Sequence, residues 1–130
     1  MKREILFRAK RSDNGEWIYG YLIGNNVIVG EVVDFDEDYF NTEFWYKVDP
    51  ETVGQFTGLT DKNGTKIFEG DIVRFYDDSE DELTNGVVVC NADFCSFCVS
   101  MKGHEDVMLM THWQYEVIVN IYDNLELLKQ

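Results

Sequence analysis

The chain has 130 residues, a formal net charge of −14, 45% hydrophobic and 15% aromatic residues, ten glycines and one proline. That composition excludes general disorder and suffices for one compact domain or two small cooperating lobes. No apolar run approaches the roughly 20 residues of a membrane-spanning helix. Ile5-Leu6-Phe7, set between Arg3 and Arg8, is too short for a secretory leader, so a cytoplasmic location is expected.

In chain order, "REILFRAKR" alternates, with Ile5, Phe7 and Ala9 on one side and Leu6, Arg8 and Lys10 on the other, and predicts a strand. Ser12-Asp13-Asn14-Gly15 predicts a turn, because Asn-Gly readily takes positive φ. "EWIYGYLIG" predicts a second strand with Trp17, Tyr19, Tyr21 and Ile23 on one face, expected to pack in a core or an interface. Gly24-Asn25-Asn26 turns the chain into "VIVG". Residues 34–43 read as a loop or short helix, and "FWYKV" as a short strand. Pro50 restricts Asp49 to extended backbone and marks the expected division of the chain.

The stretch "TGLTDKNGTKIFEGDIVRF" predicts a hairpin. Asp61-Lys62-Asn63-Gly64 suits a type I turn in which Asp61 accepts hydrogen bonds from turn amides and Gly64 is left-handed. Gly70-Asp71 turns the chain again, and Phe56, Ile67, Phe68, Ile72, Val73 and Phe75 are core candidates. These glycine turns lead into strands, whereas a phosphate-binding loop feeds a helix N-terminus. "NGVVVC", "FCSFCVSM", "VMLM" and "YEVIVNIYD" predict further strands, and "NLELLKQ" a terminal helical turn. Short strands separated by turns, without a long helical period, predict a mainly β protein with a small barrel and little helix.

The charge is uneven. Lys2, Arg3, Arg8, Lys10 and Arg11 against Glu4 give the first eleven residues +4, which leaves −18 on the remainder. Acids gather in "EVVDFDED" and in "DDSEDE", the latter containing Asp77, Asp78, Glu80, Asp81 and Glu82. Such a body repels nucleic-acid phosphates and anionic membranes and favours cationic protein partners. The plain reading of both clusters is a solvated loop. The basic segment reads either as a docking strand for the acidic body of a second copy, giving a homo-oligomer, or as an edge strand shielded against aggregation.

No chemistry-bearing constellation stands out. Cys95 and Cys98 form one C-x2-C pair, but strand alternation sets them on opposite faces, and Cys90, His104 and His112 supply no second knuckle, so the cysteines read as small buried residues. The serines lack a nucleophile setting, and "DFDED" fails the calcium loop, with Tyr39 and Trp45 where glycine and glutamate belong. Neither an enzyme nor a cofactor is expected.

At "TVGQFTGLTDKNGTKIFEGDIVRF" the chain resembles the YopX-like family of phage and prophage proteins. The likeness extends to "REILFRAK", "GEWIYGYLI" and "YEVIVNIYDNLELL", although Val119 and Leu125 stand where glycine and proline are expected. The resemblance implies an SH3-like β-barrel and a phage or prophage origin, and it implies no activity. The expected organisation is an N-terminal antiparallel β meander over residues 1–50 and the barrel over 51–130. The expected role is a non-enzymatic protein-interaction module of the bacterial cytoplasm with an unknown protein partner. An acidic DNA mimic that inhibits a host nucleic-acid-binding protein is the alternative.

Overall fold

The computed structural model describes residues 4–77, 81–93, 95–101, 103, 105–109 and 114–123. The described chain is mainly β, with a single 3-10 turn at Pro50–Thr52. It forms two compact units, Met1–Phe56 and Thr57–Gln130.

The first unit contains β1 (Phe7–Lys10), β2 (Trp17–Ile23), β3 (Val27–Val29), β4 (Val32–Phe35), β5 (Phe40–Thr42) and β6 (Trp45–Lys47). Its main sheet is antiparallel in the order β6-β3-β2-β1, followed by the start of β7 (Gly54–Thr60). The pairs Phe7↔Gly20, Tyr21↔Val29 and Val29↔Trp45 set the registers. Period-two alternation then separates two faces. Ala9, Ile28 and Val48 are buried, with Phe7, Ile18, Leu22, Phe44 and Val53 packed against them. The chain closes over this core where Lys10 N–H donates to Thr52 Oγ1 at 2.9 Å and Asp49 N–H donates to the Lys10 carbonyl at 2.9 Å.

Two expectations change here. The basic N-terminal segment is not an edge, because β1 is hydrogen-bonded to β2 on one side and β7 on the other. Residues 34–43 are not a loop or short helix. The β3–β6 ladder continues through Gly30 N–H to Phe44 C=O (3.0 Å) and Glu43 N–H to Glu31 C=O (2.9 Å) into the β4–β5 ribbon. Asp36 N–H donates to the Tyr39 carbonyl at 2.8 Å, closing the turn at Glu37-Asp38. Two apolar segments flanking an acidic turn satisfy backbone groups by pairing.

The second unit takes the rest of β7, β8 (Lys66–Phe68), β9 (Asp71–Asp77), β10 (Glu82–Asn91), β11 (Ser96–Ser100), β12 (Val107–Met108) and β13 (Glu116–Asn120). Its antiparallel sheet runs β12-β11-β10-β9-β13. Ile67, Val73, Phe75, Val88, Val99 and Tyr115 form its core, and Phe75 meets Tyr115 edge-on at 5.5 Å between ring centroids. Phe56, Phe68 and Ile72, the other core candidates, are also buried. Neither sheet closes into a barrel among the described residues: β12 and β13 are the two ends of the one, β6 and β8 the two ends of the other. β12 offers only two residues for pairing, too few to bridge back.

The turn residues do specific work. Asp61 Oδ1 accepts from the Asn63 and Thr65 amides at 2.8 and 2.9 Å, and Gly64 has φ +85°. Asp71, fully buried, accepts the Phe68 amide at 2.7 Å. Gly70 has φ +93°, its carbonyl accepts the Ile121 amide at 2.9 Å, and a Cβ there would lie 2.9 Å from the Tyr122 ring. Gly70→Ala is therefore expected to cost roughly 1–3 kcal/mol, combining left-handed strain with displacement of Tyr122. Urea denaturation checks this; a change below about 0.5 kcal/mol would show that the turn relaxes freely.

Candidate protein-interaction face

The face of the first unit's sheet opposite its core carries an unusual set of side chains. Across the strands, Lys10 pairs with Trp17, Arg8 with Tyr19, Tyr21 with Val29 and Trp45, and Ile23 with Val27 and Lys47. Tyr19, Tyr21, Ile23 and Trp45 are between 41% and 68% exposed. Val29 sits in the row between Tyr21 and Trp45 and is itself buried. Of the two expectations for the stripe, a core or an interface, the first fails for Tyr19, Tyr21 and Ile23, which are exposed. The core instead takes the alternate residues Ile18 and Leu22 of β2, with Gly20 between them.

Electrostatics around the stripe are mixed. The Arg8 guanidinium lies 4.8 Å and the Lys10 ammonium 5.4 Å from the Trp17 ring centroid. On the other face, where Arg11 is in register with Val48 and Tyr46 with Ile28, Arg11 lies 4.0 Å from the Tyr46 centroid and forms a two-point ion pair with Asp13, at 3.0 and 2.6 Å. Cations over ring faces are held by the ring quadrupole, which fixes their position along the sheet. Tyr21 OH donates to Glu31 Oε1 at 2.8 Å, and that bond with the Glu31 charge pushes the phenol pKa up. Lys47 is exposed at the far corner.

Of the other residues singled out from the sequence, Lys2, Arg3, Asp78, Glu80, His104 and His112 lie outside the described residues, as does the terminal segment 124–130. Asp77 and Glu82 pair at the end of the β9–β10 ladder, and Asp81, with φ +53°, accepts from Tyr76 OH. Of the acidic run, Asp77, Asp81 and Glu82 thus lie at the end of the β9–β10 ladder in the second unit. Cys90 and Cys95 are exposed and Cys98 is buried, so the expectation of three packing residues holds for one. Burial pushes the Cys98 thiol pKa up, with Asp106 and Cys90 adding to it. Among the described residues no three His, Cys, Asp or Glu side chains converge to hold a metal ion.

Nothing in the sequence analysis marks Trp45 or the ribbon residues Val32, Val33, Tyr39 and Phe40 as an exposed apolar surface. The last four lie within 51–61% exposure. Their signal was present as apolar pairs placed on either side of Asp36-Glu37-Asp38, the pattern of a hairpin.

Among the described residues no helix is long and apolar enough to cross a membrane. No curated protein matches the chain. Its structure is similar to the crystal structure of protein EF1440 from Enterococcus faecalis, with a TM-score of 0.67 and 22% identity over 98% of this chain and 99% of that one. At that identity the likeness concerns the fold. The family model described as YopX protein matches residues 6–129, nearly the whole chain, and the chain belongs to the YopX family.

Proposed function

We propose that this chain is a non-enzymatic accessory protein of a phage or prophage that acts in the bacterial cytoplasm by binding protein through the outer face of its first unit. The observation that carries the reading is the contiguous stripe of Tyr19, Tyr21, Ile23 and Trp45, exposed on a sheet whose other face already supplies the core. Tyr and Trp are favoured at binding hot spots because they bury a large area at low entropic cost. Asp61 and Asp71, the buried carboxylates, accept backbone amides and so serve the fold. The described cations of β1 lie over aromatic rings, and the total charge of −14 opposes a phosphate backbone. The DNA-mimic alternative is less favoured because the ribbon's acids are interleaved with exposed Val33, Tyr39 and Phe40, which have no counterpart in a row of phosphates.

The test is photo-crosslinking in the host, with p-benzoylphenylalanine placed at Tyr19 or Trp45 and a control probe at exposed Lys62. The expected result is protein adducts from the two face positions at least tenfold above the control. Equal yields at all three positions would overturn the reading.

A further inference from the structure

We infer that the β4–β5 ribbon is a docking arm whose occupant is the aromatic face of a second copy of this chain; the inference rests on the face being a protein-binding surface, as proposed above. The ribbon extends the β3–β6 ladder beyond the main sheet. Among the described residues β4 and β5 pair only with each other, and a two-stranded ribbon in water is marginally stable unless a face is covered. Val32, Val33, Tyr39 and Phe40 are all more than half exposed, so the described structure leaves these four apolar side chains uncovered.

Chemistry selects the occupant. Residues 31–43 carry six acids (Glu31, Asp34, Asp36, Glu37, Asp38 and Glu43) and no Lys or Arg. A concavity of about 490 Å³ is lined by Val32, Tyr39 and Phe40, with Asp36, Glu37 and Asp38 around it. That arrangement suits a long cationic side chain, whose methylenes lie on apolar surface while its charge meets carboxylates. The partner surface therefore has to be apolar and aromatic with cations at its margin. The outer face of the first unit supplies Tyr19, Tyr21, Ile23 and Trp45 between Lys10 at one corner and Lys47 at the other, with the Glu31 carboxylate of the same chain engaged by Tyr21 OH.

Because arm and face belong to the same chain, two copies can exchange arms in an isologous pair, which makes each contact twice and closes without forming a filament. A contact of arm on arm would set acid against acid in a chain already at −14, so the arm-on-face arrangement is the one that electrostatics permits.

Charge exchange tests this directly. The full chain is compared with an arm variant, Glu37→Lys/Asp38→Lys, and a face variant, Lys10→Glu/Lys47→Glu, by light scattering after circular dichroism confirms folding. Wild type is expected at about twice 15.2 kDa at 100 µM, and each variant alone at about 15.2 kDa. An equimolar mixture of the two variants is expected to regain the doubled mass, since the reversed arm then meets the reversed face and the native arm the native face. A monomeric wild type, dimers in both variants alone, or a mixture that stays monomeric would each overturn the proposal. Where a variant does not fold, p-benzoylphenylalanine at Tyr39 of the otherwise native chain decides: adducts to β2 or β6 of a second copy support the arm, and adducts elsewhere or none overturn it. Adducts from Trp45 to a different protein would sink this inference while leaving the face a protein-binding surface.

Discussion

Asp61→Ala is expected to destabilise the second unit by about 3–5 kcal/mol, more than any other single truncation of a polar side chain described here. The carboxylate accepts three backbone amides, Asn63 and Thr65 at Oδ1 and Val117 at Oδ2 (2.9 Å), from a site that is 7% exposed. Removing it leaves those amides in a place where water replaces the oxygens poorly, at about 1–3 kcal/mol for each buried group left unpaired. It also loosens β13, an end strand of its sheet, which is further tied to the turn by Lys62 N–H donating to the Tyr115 carbonyl at 3.0 Å.

The same carboxyl ties stability to pH. Burial pushes its pKa upward, but hydrogen bonds from Val117, Thr65 and Asn63, with the Lys62 charge, more than reverse this, and the net shift is downward. The folded value therefore lies below the unfolded one. The stabilisation is complete above the ordinary carboxylate range, near pH 4, and is lost as pH falls through the folded value. Urea titrations from pH 7 to pH 3 check both statements: the alanine variant should start lower and lose less on acidification. Wild type and variant curves that fall in parallel would assign the acid sensitivity to other groups.

Gly20→Ala is expected to cost at least about 3 kcal/mol in the first unit. A Cβ at Gly20 would fall inside the contact distance of the Val29 carbonyl oxygen and lie 3.1 Å from Ile28 Cγ2. Backbone cannot step aside as a side-chain tip does, so β2 and β3 have to separate. Hydrogen exchange reads this locally, as lost protection at Val27–Val29, with the second unit's amides less affected. Unchanged protection would mean that β3 shifts at no cost. By contrast, Gly64 has open space where its Cβ would be, so its replacement meets only the backbone strain of φ +85°.

Much of the fold was legible because it is local. Asn14-Gly15, Asp61 with Gly64, and Gly70-Asp71 mark turns whose chemistry is contained in a few neighbouring residues, and strand alternation follows from a period of two. What could not be read was which face becomes the core. In "WIYGYLI" the larger residues share one face, yet the sheet buries Ile18 and Leu22. The choice depends on Gly20 admitting β3 and on Phe44 and Val48 arriving from elsewhere in the chain. The β4–β5 ribbon was missed because five acids among the eight residues 31–38 mask its alternation, and strand pairing there is decided by β3 and β6. The aromatic face itself was legible as a set of residues but not as an exposed surface.

The bond between Asp61 and Val117 spans 56 positions of sequence. A ribosome adds residues at about 5–20 per second, so after Asp61 is made its third donor follows roughly 3–11 seconds later. Until then the 61–65 turn can form on two of its three amides while β9 lacks its β13 neighbour. Synthesis thus leaves an unpaired strand edge exposed until β13 emerges. A nascent chain stalled before Val117 should accordingly be captured by chaperones that bind extended strands, and release should follow completion of β13.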